Sequence, residues 1–134
     1  MFHIEVRDHI MIARKLHGDV FGPANMIHGS TLIVDVAVFA KTLGPHGVVA
    51  DLGKLSEIVR QILLPLNYQL LHELPAFQQQ NASVEGISLY LHDQIKSEIL
   101  GGGLDRLSTE LDRLRILVEE TPTARGGYEA ALHE

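Results

Sequence analysis

The chain has 134 residues, 46% of them hydrophobic and 21% charged, with a net charge of −6 and no cysteine. That length fits a single domain over residues 1–134 with enough apolar content for a core. An acidic balance without a Lys/Arg block argues against nucleic acid as main partner, and the lack of thiols excludes a disulfide framework, a thiolate zinc site and a cysteine nucleophile. The longest apolar run, Leu32 to Ala40, is interrupted by Asp35 and is too short to span a bilayer. No charged segment precedes an apolar one in the manner of a secretory signal, so the cytoplasm is the expected compartment and no membrane is expected as partner.

Phe2-His3-Ile4-Glu5-Val6-Arg7 alternates apolar and polar residues, as a half-buried strand does. The pattern weakens at Asp8 and His9 and returns over Ile10–Ala13. His17–Asn25, with Gly18, Gly22 and Pro23, reads as a loop. Thr31–Phe39 is rich in β-branched residues and predicts a second strand, with Leu32, Val34, Val36, Val38 and Phe39 suggesting apolar character on both faces. Gly44-Pro45-His46-Gly47 is a turn. Leu52, Leu55, Ile58, Val59, Ile62 and Leu63 share one helical face, with Asp51 as N-cap and Pro65 as stop.

Leu66–Gln80 reads as a loop. Asn81–Glu85 opens a second helix carried by Val84, Ile87, Leu91, Ile95 and Ile99, and Gly101-Gly102-Gly103 ends it. Leu104, Leu107, Leu111 and Leu114 fall at helical spacing and predict another turn or two of helix. Leu114–Val118 reads as a strand that delivers Glu119, Glu120 and Thr121 to its end. A turn over Thr123–Gly127 and a short strand over Tyr128–Leu132 complete the chain. The expected fold class is α+β: a four-stranded antiparallel sheet with two helices on one face, in the order β-β-α-α-β-β. Its open second face and free edges predict a homo-oligomer. Of the eight histidines, His46, His72, His92 and His133 belong to no constellation and are expected in solvent. Met11 and Met26 are expected in the core or a pocket wall.

Several segments, taken in order, resemble the 6-pyruvoyl-tetrahydropterin synthase / 6-carboxytetrahydropterin synthase family. They are Ala13-Arg14-Lys15-Leu16, Ile27-His28-Gly29, Gly47-Val48-Val49-Ala50-Asp51, Leu66-Asn67-Tyr68, Asn81-Ala82-Ser83-Val84-Glu85, and Glu120-Thr121 followed by Tyr128. The resemblance implies the tunnelling fold, with trimers joined into a β-barrel and two trimers stacked as a hexamer. It also implies a zinc ion on three histidines. Their positions here hold Arg14, His28 and Ser30, and a guanidinium has no lone pair to give. The family's catalytic Cys position is Ala24, and its Asp-His pair is Asn67-Tyr68, so no catalytic residue and no metal or other cofactor is expected.

The recognition end of the family site survives better. Glu120-Thr121 matches the acidic anchor for a pterin ring, since a carboxylate accepts two parallel N–H donors. Ser83 and Glu85 match the helix opening that helps close that pocket. Arg14 is expected either to pair with an acid in the vacated metal site or to bind an anionic group of the ligand, with His28 beside it. For Glu120 the competing role is an ion pair with a strand neighbour such as Arg115. The resemblance places Glu120 on a neighbouring chain from the strand 1 and 2 residues. Three functions stay open: a binding protein for a pterin-like heterocycle, an active pterin lyase or synthase with a rearranged site, and a structural oligomer with a vestigial pocket.

Overall fold

A computed structural model describes all 134 residues. Four strands, β1 (Phe2–Arg14), β2 (His28–Ala40), β3 (Arg113–Thr121) and β4 (Ala124–Ala131), form one antiparallel sheet in the order β1-β2-β3-β4. Helices α1 (Leu52–Leu63) and α2 (Val84–Leu100) cover one face, α1 against β1 and α2 against β3 and β4.

β1 is one continuous strand, paired with β2 from Phe2↔Ala40 to Arg14↔His28. The polar pair Asp8 and His9, which blurs the sequence pattern, does not interrupt it. Even-numbered residues of β1, β2 and β3 point to the helices. Ile10, Ile12, Leu32, Val34, Val36, Val38, Leu114, Ile116 and Val118 are buried there against Leu55, Val59, Leu63, Ile87, Leu91, Ile95 and Ile99.

β2 carries Ile33, Ala37 and Phe39 on its helix-free side, in line with the two-faced reading, although Leu32 lies on the helix side and Asp35 brings a charge to the other; the neighbouring strands make that face largely polar. Its register places Glu5, Ala37, Arg115 and Glu129 in one row. Arg115 reaches Glu5 over the small Ala37, which is fully buried beneath them. Arg7 pairs with Asp35, Arg113 with Glu129 and Arg125 with Glu119. Arg113 and Arg115 both lie over the Phe39 ring, 4.6 and 5.2 Å from its centroid.

Asp51 caps α1, its carboxylate accepting from Lys54 N–H at 3.0 Å. Ser83 caps α2, its hydroxyl accepting from Gly86 N–H at 3.1 Å. The predicted helix over Leu104–Arg113 does not form. After Gly101–Gly103, Asp105 takes a left-handed conformation (φ 59°) that turns the chain. Leu104 and Leu111 are buried from an irregular segment holding only the short helical turn Ser108–Glu110. The predicted turn over Thr123–Gly127 is also corrected: the hairpin closes at Pro122-Thr123, and Ala124 already begins β4. Glycines at 126 and 127 mimic a turn in sequence, but they are needed for close approach. A Cβ on Gly126 would lie 2.8 Å from Val84 Cγ2.

Candidate functional site

Arg14, His28 and Ser30 lie at the end of the sheet where β1 stops and β2 begins, whereas Gly47–Asp51 follows β2 at the opposite end. Arg14 and His28 are direct partners across β1 and β2, and Ile12 faces Ser30. Arg14 is 1% exposed. Its Nη2 donates to Glu120 Oε1, past β2 and within the same chain. This corrects the expectation that Glu120 lies on a neighbouring chain from the strand 1 and 2 residues. Arg115, the other candidate partner, is taken by Glu5, and Glu119 is taken by Arg125.

Burial pulls the Arg14 pKa below its ordinary value, and the charge of Glu120 opposes that shift. Nε and Nη1 of Arg14 are buried without a hydrogen-bond partner. The Glu120 side chain is 35% exposed. A carboxylate offers about four lone-pair positions. Arg14 uses one, so an outside donor pair still has acceptors.

The remaining predicted residues are placed as follows. His28 Nδ1 lies 3.0 Å from the Met26 carbonyl oxygen. Thr121 Oγ1 accepts from Thr123 N–H at 3.3 Å and so serves the hairpin. The Ser83 hydroxyl is engaged by its own helix. Glu85 is exposed on the first turn of α2, which packs over Gly126. Met26 is 71% exposed, against the expectation of a core or wall position.

Asn67 and Tyr68 dock on the edge of β1: Asn67 Oδ1 accepts from Met11 N–H at 2.9 Å, and Tyr68 N–H donates to the Met11 carbonyl at 2.6 Å. Tyr68 sits at φ 62°, a left-handed conformation rare for an aromatic residue. A cleft of about 450 Å³ opens here, with Met11, Ser30, Thr31, Tyr68 and Leu70 among its walls. Neither Arg14 nor Glu120 lines that cleft.

Sequence reasoning missed what holds this end together. Asn81 grips the backbone of His17 from both sides, accepting from its N–H at 2.8 Å and donating to its carbonyl at 3.1 Å. His72 Nδ1 accepts from Lys15 N–H at 3.2 Å, so His72 is not a solvent histidine. His92 is not one either: it is 2% exposed, with Nε2 3.2 Å from the Leu114 carbonyl and its ring edge-on to Tyr128. These contacts join residues 22 to 64 positions apart, and no local pattern announces them.

The donor set does not fit a zinc ion. The guanidinium at the first family position has no lone pair and is committed to Glu120. One ring nitrogen of His28 faces a backbone carbonyl. No three His, Cys, Asp or Glu side chains are grouped so as to hold an ion.

A family model described as 6-pyruvoyl tetrahydropterin synthase matches residues 3–131. No curated protein matches the chain. Among solved structures, the Caenorhabditis elegans 6-pyruvoyl tetrahydropterin synthase is 22% identical, with a TM-score of 0.78 over 96% of this chain and 95% of that one. The Plasmodium falciparum 6-pyruvoyl tetrahydropterin synthase is 17% identical, with a TM-score of 0.79 over 97% and 98%. An uncharacterized protein from Wolinella succinogenes is 14% identical, with a TM-score of 0.67 over 95% and 97%. The fold is therefore shared along nearly the full length.

Proposed function

The chain belongs to the 6-pyruvoyl tetrahydropterin synthase family, and we propose that it holds a pterin-like 2-amino-4-oxo ring on Glu120 without performing the zinc-dependent reaction. The observation that carries this reading is the Glu120 carboxylate itself. It stands at the end of β3, fixed from behind by Arg14 and one-third open in front. A ring edge with two parallel N–H donors matches that acceptor. Ala24, Asn67 and Tyr68 stand where the resemblance places a proton-transferring Cys and an Asp-His pair. Neither a methyl group nor a carboxamide moves a proton near neutral pH.

Fluorescence titration with pterin and with guanine tests the reading. Saturable binding that disappears in Glu120→Ala is the expected result. A chain that binds no 2-amino-4-oxo ring overturns it.

The Arg14–Glu120 pair also favours a second reading, a structural oligomer in which Arg14 fills the vacated metal position and Glu120 serves only as its counter-ion. Loss of assembly in Glu120→Ala, without ring binding by the parent chain, supports that alternative.

Assembly into a homo-oligomer, a hexamer built of two trimers, is part of the same proposal. β1 along Phe2–His9 and β4 along its length are sheet edges with no strand beside them. Light scattering is expected to give a mass of six 14.8 kDa chains. No helix is long and apolar enough to cross a membrane, and the cytoplasm is the proposed compartment.

A further inference from the structure

We infer that Arg14 is a positioning residue: it holds the Glu120 carboxylate in the one orientation that grips a ring through two adjacent N–H donors. The inference rests on the ring-binding reading above.

Arg14 has the largest of the fully buried side chains, and Glu120 is its only polar partner. A guanidinium buried with two nitrogens unmatched is costly, and an apolar side chain of similar volume would fill the same space at less cost. Packing alone therefore does not account for an arginine here.

The backbone that carries Arg14 is clamped on both sides. The N–H groups of Ala13, Lys15, Leu16 and His17 donate to Gln69 O, His72 Nδ1, Ala24 O and Asn81 Oδ1, at 3.1, 3.2, 2.9 and 2.8 Å. β1 and β3 are two strand spacings apart, about 10 Å, and the side chains of Arg14 and Glu120 together bridge that gap across β2.

Glu120 has no such anchorage of its own. It lies near the end of β3, in the register shift between Glu119 and Thr121, with a part-exposed side chain. Ordering its carboxylate before a ligand arrives removes that ordering from the cost of binding. Arg14 is almost inaccessible, so it acts through Glu120 and not on the ring.

The test titrates the whole chain with pterin and with lumazine, which carries an oxygen where pterin carries its 2-amino donor. The parent chain is expected to prefer pterin by about tenfold to a hundredfold, the value of one charge-assisted hydrogen bond. Arg14→Met, similar in volume and uncharged, is expected to melt no lower than the parent. Its preference for pterin is expected to drop below about threefold. Arg14→Lys is expected to restore part of the preference.

If Arg14→Met keeps the full preference, the inference falls while ring binding stands. If the parent chain binds neither ring, both fall. Should Arg14→Met fail to fold, Arg14→Lys decides: an intermediate preference supports the inference, and an unchanged one overturns it.

Discussion

On the helix-free face, the Asp35 carboxylate receives Nε and Nη2 of Arg7 together, at 2.7 and 3.0 Å. The two partners are unequally placed, with side chains 10% and 61% exposed. The pair holds the Arg7 pKa above its ordinary value, chiefly through its hydrogen bonds to Asp35 and then through the charge of Asp35. Removing Arg7 strands a buried carboxylate, whereas removing Asp35 frees a guanidinium that already meets water. Arg7→Met is therefore expected to lower the thermal midpoint by several degrees, and Asp35→Asn by less. The double change Arg7→Met with Asp35→Leu is expected to recover most of the loss. Scanning calorimetry of the three variants checks the order.

Gly86 sits where a Cβ would come within 2.1 Å of the Asn81 carbonyl oxygen. That carbonyl belongs to the residue whose amide grips His17. Gly86→Ala is expected to cost about 1–3 kcal/mol by overpacking, and to loosen the segment behind Arg14 as well. Denaturant midpoints measure the first effect. Faster amide exchange at His17 measures the second.

His92 gives the fold an acid sensitivity. Burial pulls its pKa below the ordinary histidine value, against a weaker upward pull from nearby backbone carbonyls. Nε2 faces the Leu114 carbonyl and Nδ1 makes no hydrogen bond, so the pull of the Ala130 and Leu114 backbone does not make up for burial when the ring is protonated. The unfolded chain takes up this proton first as pH falls. The neutral ring's contribution is complete above the ordinary histidine pKa. It is lost as pH drops from there through the lowered value. His92→Gln is expected to flatten stability over that window, read from urea midpoints between neutral and mildly acid pH.

Protein purified without chelator is expected to carry zinc well below one ion per chain, by mass spectrometry of the metal. Stoichiometric zinc that vanishes in His28→Ala would instead support an active lyase or synthase with a rearranged site.

The parts of the fold legible in sequence were those with local causes. The β-branched run Thr31–Phe39 and the α1 spacing behind Asp51 both formed as their patterns imply. The false helix over Leu104–Arg113 had a periodic pattern but no continuous backbone, because Asp105 turns the chain after three glycines. Gly126 and Gly127 read as a turn because closeness to Val84 and to the backbone of β3 selects the same small residue that a turn does. At the site, residue types alone carry the expectation that Arg14, His28 and Ser30 hold no zinc. The partner of Glu120 was not legible, since Arg14 lies 106 residues away and two strands across. Such a contact follows from sheet register, which no short window contains.

The four arginines and four acids of the helix-free face cancel one another, so the chain's entire charge of −6 belongs to its other surfaces. The molecule is electrically two-sided. A cationic resin or surface would meet it helices first, and sheets that closed on one another face inward would enclose no net charge. Salt should therefore tune what the helix layer and loops attract while leaving contacts through the sheet face nearly untouched.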